Sequence, residues 1–129
     1  MSEKKRVLVV DDEPDFAGIV QQNLEKEGCE VEVAYDGDEG LEKIKANPPD
    51  AIVLDVMMPG KDGYQVCSEL KADERYAGIP VILLTAVASH VTSTRYSHRD
   101  GMSTEADDYL AKPASAEQIT ESIKGLLDM

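Results

Sequence analysis

The sequence contains no tryptophan, one phenylalanine and only two cysteines. With so few large aromatics, aliphatic side chains have to build the hydrophobic core. Cys29 and Cys67 lie far apart and form no C-x-x-C pattern, so they read as small buried hydrophobes of a reducing compartment. Basic residues are scarce as well: 13 Lys and Arg face 26 Asp and Glu, a net charge of −13. That balance argues against direct binding to nucleic acid, whose phosphates attract Lys and Arg. It argues equally against an anionic membrane surface. No apolar stretch approaches the length of a membrane span, and the opening MSEKKRVLVVDDE is too polar for a signal peptide. A cytoplasmic protein with no membrane association is the expectation.

What is present points to one domain over residues 1–129, a length that buries roughly two-thirds of the unfolded chain's surface. Neither disulfides nor metals are needed to hold such a chain together. Short apolar runs occur at Val7–Val10, Val31–Ala34 (interrupted by Glu32), Ala51–Leu54 and Val81–Leu84. The continuous ones read as strands buried on both faces, as in a parallel sheet. A weaker run, Tyr109–Ala111, is flanked by charge as an edge strand would be. Segments with helical period lie between them. Asp15–Lys26 places Phe16, Ile19, Val20 and Leu24 on one face, Asp38–Ala46 has Leu41 and Ile44, and Tyr64–Ala72 has Val66, Cys67 and Leu70. In Ser115–Leu127 the apolar positions are Ile119, Ile123, Leu126 and Leu127, and Ser115 with Gln118 forms a capping box. Pro14 suits the start of the first helix and Gly28 its end. Strands alternating with helices imply an α/β fold, a parallel sheet with helices on both faces. The stretch from Val87 to Ala106 has few large apolar residues and predicts a short helix and a long loop.

Every strand of a parallel sheet ends at the same edge, and ligands bind there. The first strand ends in Asp11-Asp12-Glu13, the third in Asp55 and the fourth in Thr85; the fifth runs into Lys112-Pro113. The fold therefore delivers three aspartates, a hydroxyl and an ammonium to one edge. Each pair of like charges at 4 Å costs about 4 kcal/mol at an effective dielectric of 20, more than one lysine can offset. A divalent cation resolves the conflict, or a carboxyl pKa rises. All-oxygen donors with no His or Cys suit Mg²⁺, which keeps waters and accepts phosphate oxygens. A carboxylate beside Mg²⁺, a hydroxyl and a lysine is also a phosphoryl-transfer site.

VLVVDDEPDF, IVLDVMMPGKDGYQV, PVILLTA and DDYLAKP, in that order, resemble the motifs of the receiver (CheY-like) domains of bacterial two-component response regulators. The resemblance runs from about Arg6 to Leu127. It implies a flavodoxin-like, doubly wound, five-stranded parallel sheet of order 2-1-3-4-5. It also implies a switch that takes a phosphoryl group from a sensor histidine kinase or phosphotransfer protein and passes the change to a downstream protein target. Asp55 matches the phosphoacceptor. Asp12, Asp55 and the Met57 carbonyl match the Mg²⁺ ligands, and Asp11 the acid that reaches the metal mainly through water. Lys112 matches the lysine that pairs with the phosphoryl group. Thr85 matches the hydroxyl that moves toward it, helped by the Ala86 N–H, and Tyr109 the aromatic switch that follows Thr85. The family's bond before this proline is commonly cis, which would aim Lys112 into the site. The side chains two places after Asp55 and Thr85, here Met57 and Val87, flank the phosphoryl group in this family. Neither orients an attacking water well, so slow self-dephosphorylation is expected.

The sequence departs from the family in three places. Ala114 stands where Phe often follows Lys-Pro, and the stretch from Thr85 to Lys112 is a few residues longer than usual. The usual Gly-Ala-Asp-Asp is replaced by Gly101-Met102-Ser103-Thr104-Glu105-Ala106-Asp107-Asp108. These changes fall on the family's usual output surface, so its partner geometry does not carry over, although a phosphorylation-dependent dimer is compatible with the family. His90, Arg95, His98 and Arg99 form a local basic cluster, either a solvated loop or a docking patch for an acidic partner. Two other functions compete. A small Mg²⁺-dependent aspartate-nucleophile phosphohydrolase uses similar groups, but typically has D-x-D at the first strand and a cap domain. An FMN carrier would need a phosphate loop where Asp11-Asp12-Glu13 would repel one.

Overall fold

Continuous apolar runs buried on both faces dictate the architecture seen in the computed structural model, which describes residues 4–58, 60–85, 108–111 and 115–128. The strands are β1 (Arg6–Val10), β2 (Glu30–Ala34), β3 (Ala51–Asp55), β4 (Val81–Thr85) and β5 (Asp108–Ala111). The helices are α1 (Pro14–Lys26), α2 (Gly37–Ala46), α3 (Gly63–Ala72) and α4 (Ala116–Leu127). All strand pairs are parallel, in the order β2-β1-β3-β4-β5. This is the doubly wound arrangement the motifs imply. Among the described residues, no helix is long and apolar enough to cross a membrane.

Successive side chains of a strand point to opposite faces, and each face has its own core. Leu8, Val10, Ile52, Leu54, Val81 and Leu83 meet Leu41 and Ile44 of α2 and Val66, Cys67 and Leu70 of α3. Val7, Val9, Ala51, Val53, Ile82 and Leu84 meet Ala17, Val20 and Leu24 of α1 and Ile119 and Ile123 of α4. Both cysteines are buried free thiols, and burial pushes the Cys29 thiol above its ordinary pKa. Ile19 does not join the predicted stripe of α1; it is 52% exposed. The buried line runs through Ala17, Val20 and Leu24. At 3.6 residues per turn, position 19 falls well around the helix from position 24.

The helix ends follow local chemistry. Pro14 opens α1, and Gly28 follows it at φ 92°, a left-handed conformation that glycine adopts without a Cβ penalty. Ser115 and Gln118 make the expected capping box on α4. Asp62 and Gln65 make another on α3, and Asp36 caps α2 through the Glu39 N–H.

At the end of β2, two side chains of α2 engage its outward backbone groups. The Ala34 carbonyl faces β1, where it accepts the Asp11 N–H at 3.0 Å, so Val33 C=O and Tyr35 N–H point away from the sheet. Lys43 Nζ donates to the Val33 carbonyl at 2.8 Å, and Tyr35 N–H donates to Glu39 Oε1 at 2.8 Å. Glu39 and Lys43 pair with each other at 3.5 Å.

Candidate functional site

Strand register sets the level of each functional residue at the carboxyl edge. Val10 is paired with Leu54, so Asp11 and Asp55 follow side by side. Two hydrogen bonds carry the ladder one step past the strands: Asp11 N–H to the Ala34 carbonyl and Val56 N–H to the Leu84 carbonyl, each 3.0 Å. On the other side Asp55 is level with Leu84, and Thr85 with Ala111. The backbones of β3, β4 and β5 thus bring Asp55, Thr85 and the end of β5 to the same rim as Asp11.

At that rim Asp11 and Asp55 are buried and Asp12 is exposed. A carboxylate oxygen from each of the three lies within 4.8 Å of the others. Each buried carboxylate is held by a backbone N–H two residues on, in the manner of an Asx turn. Asp11 Oδ1 accepts from Glu13 N–H at 2.9 Å, and Asp55 Oδ1 accepts from Met57 N–H at 3.2 Å. Two like charges 4.8 Å apart repel by about 3.5 kcal/mol at an effective dielectric of 20. Hard oxygen donors at this spacing fit a divalent cation, which would turn the repulsion into ligation. The Asp11–Asp12–Asp55 cluster can therefore hold a metal. Met57 is 61% exposed.

The loop from Val56 to Asp62 leaves the site under several constraints that sequence reading missed. The Val56 carbonyl accepts both Met58 N–H at 3.2 Å and Gly63 N–H at 3.1 Å. Gly60 has φ 76°, again left-handed. Lys61 reaches Glu69 of α3 at 2.7 Å and Asp38 of α2 at 3.7 Å; its hydrogen bond to Glu69 raises its pKa from the ordinary lysine value. The Asp62-x-x-Gln65 spacing is a capping-box signal present in the sequence. Lys61 gave no comparable signal, because its partners are distant in the chain.

The acidic triad is thus brought together as the sequence predicts. The side chains of Thr85 and Tyr109, and Ala86, Val87, Lys112, Pro113 and Ala114 entirely, lie outside the described residues, as does the basic cluster of His90, Arg95, His98 and Arg99.

The chain matches the response regulator receiver domain family over residues 7–124. It is similar to the receiver domain of Francisella response regulator 1452, with 33% identity and a TM-score of 0.83 over 97% of this chain and 98% of that one. It is similar to a chemotaxis response regulator of Vibrio cholerae, with 28% identity and a TM-score of 0.84 over 96% and 99% of the two chains. The receiver domain of NtrX from Brucella abortus gives 28% identity and a TM-score of 0.78 over 95% and 98%. These matches support a signalling switch and lend nothing to the phosphohydrolase alternative.

Proposed function

The chain belongs to the response regulator receiver domain family, the phospho-accepting signalling domains of two-component systems, and from that premise we propose that Asp55 is its phosphoacceptor in a Mg²⁺-dependent reaction. The observation that carries this reading is the buried Asp55 carboxylate with oxygens of Asp11 and Asp12 within 4.8 Å. Receiver domains interact with histidine kinases or phosphotransfer proteins, and a phosphohistidine of such a partner is the donor proposed here. The Asp55 oxygen forms a bond to phosphorus as the P–N bond of the donor breaks. The electron pair stays with the imidazole nitrogen, and the product is an acyl phosphate.

Asp12, Asp55 and the Met57 carbonyl would hold Mg²⁺, with Asp11 reaching it mainly through water, and the ion would supply positive charge against the carboxylates and the phosphoryl oxygens. The Met57 N–H holds Asp55 in place through its 3.2 Å hydrogen bond. Lys112 is assigned to the phosphoryl oxygens, the Thr85 hydroxyl and Ala86 N–H to the switch contact, and Tyr109 to the rotamer that follows it. Residues 1–129 are taken as one receiver domain acting in the cytoplasm on a protein target, without direct contact to nucleic acid. The domain is a switch and not an enzyme that turns over a metabolite.

The test is intact mass after incubation with Mg²⁺ and acetyl phosphate, beside an Asp55→Asn control. One added phosphate that requires Mg²⁺ and is absent from the control is the expected result. An adduct that persists in Asp55→Asn would assign the acceptor elsewhere. No adduct together with no beryllofluoride binding would overturn the reading.

A further inference from the structure

We propose that Gly63 is a positioning residue for the acceptor, a site where the absence of a side chain lets α3 start directly on the peptide that carries Asp55. The inference rests on the proposed role of Asp55. A Cβ at Gly63 would stand 2.5 Å from the Asp55 carbonyl oxygen, 2.7 Å from Val56 Cα and 3.0 Å from the Asp55 carbonyl carbon. All three are backbone atoms, so no flexible side chain can yield. Gly63 is not required for its backbone angles, since only Gly28 and Gly60 among the described glycines have positive φ. Its requirement is closeness.

The peptide it touches has little freedom. Val56 N–H is bonded to the Leu84 carbonyl at 3.0 Å, and the Val56 carbonyl accepts Gly63 N–H at 3.1 Å. The Asp55 carboxylate is tied to Met57 N–H. A methyl group at Gly63 must push the Asp55–Val56 peptide or lift the first turn of α3. The first movement shifts the Asp55 carboxylate and the Met57 carbonyl relative to Asp11 and Asp12; the second breaks the Gly63 N–H bond that fixes the Val56 carbonyl beside them. The capping box holds the same turn down without touching the site: Gln65 N–H donates to Asp62 Oδ1 at 2.9 Å, and Asp62 N–H to Gln65 Oε1 at 3.0 Å. Gln65 is exposed, so changing it loosens the seat of α3 with little cost to the core.

The experiment measures the acetyl phosphate phosphorylation rate and Mg²⁺ affinity of the full chain and its variants, each checked for folding by circular dichroism. A displacement near 1 Å costs on the order of 100-fold in rate, so Gly63→Ala should slow phosphorylation by at least about tenfold and weaken Mg²⁺ binding. Gly125→Ala, whose Cβ meets nothing within 4 Å, should leave both unchanged. Gln65→Ala should slow the reaction several-fold, and Gln65→Glu, which keeps the capping box, should restore it. A folded Gly63→Ala with wild-type rate and Mg²⁺ affinity would overturn the proposal. Should Gly63→Ala not fold, a wild-type rate in Gln65→Ala would overturn it equally. Wild-type protein that binds Mg²⁺ yet accepts no phosphate would sink the acceptor assignment of Asp55, while the Mg²⁺ affinities would still decide the positioning role.

Discussion

Met57 serves the acceptor with its backbone and solvent with its side chain. Its N–H holds the Asp55 carboxylate at 3.2 Å, while the residue as a whole is 61% exposed. A thioether sulfur is only a weak acceptor and donates nothing, so it cannot hold a water in line with an acyl phosphate. Replacing it with Asn leaves the backbone contact possible and adds an amide that can bind that water. One net hydrogen bond is worth about 0.5 to 1.5 kcal/mol, so Met57→Asn should shorten the phosphoryl lifetime by about twofold to tenfold. The decay of the phosphorylated mass after acetyl phosphate is removed checks this. An unchanged half-life would mean that Met57 does not gate water.

Strands were the most legible elements, and their starts the least. Val7–Val10, Ala51–Leu54 and Val81–Leu84 were readable because strands buried on both faces carry unbroken apolar runs. The observed strands also take in Arg6, Glu30 and Asp108 at their starts, polar residues that join the hydrogen-bond ladder without announcing it in hydropathy, while β3 and β4 end at Asp55 and Thr85 as read. The acidic triad was legible because a parallel sheet sends all strand ends to one rim. Gly63 and Lys61 were not, because their significance lies in atoms of Asp55, Asp38 and Glu69 that only folding brings near. Ile19 was misplaced because apolar character alone does not fix an angle around a helix. Caps are local enough to be read and to be tested. Ser115→Ala removes the side chain that accepts Gln118 N–H at 3.0 Å and should cost about 1 kcal/mol. Urea unfolding monitored by circular dichroism would register it as a lower midpoint with an unchanged slope.

For the molecule as a whole, the sheet divides two separate cores and leaves its carboxyl rim crowded with negative charge, in a chain whose net charge is −13. Folding concentrates that repulsion, so an ion that binds only the folded rim must stabilise the fold. At a hundred times its dissociation constant, Mg²⁺ should add about 2.7 kcal/mol. Thermal melts with MgCl₂, matched in ionic strength by NaCl, should show a higher Tm for Mg²⁺, and Asp12→Asn should reduce the gain. Equal melts in the two salts would speak against a specific site. The β2 edge carries a different consequence. Unpaired strand borders invite other chains to add to a sheet. Here the outward Val33 carbonyl and Tyr35 N–H are engaged by Lys43 and Glu39. A neighbouring molecule seeking to extend the sheet at this end finds those two positions already occupied, and it would have to displace the Lys43 and Glu39 side chains before a rung could form there.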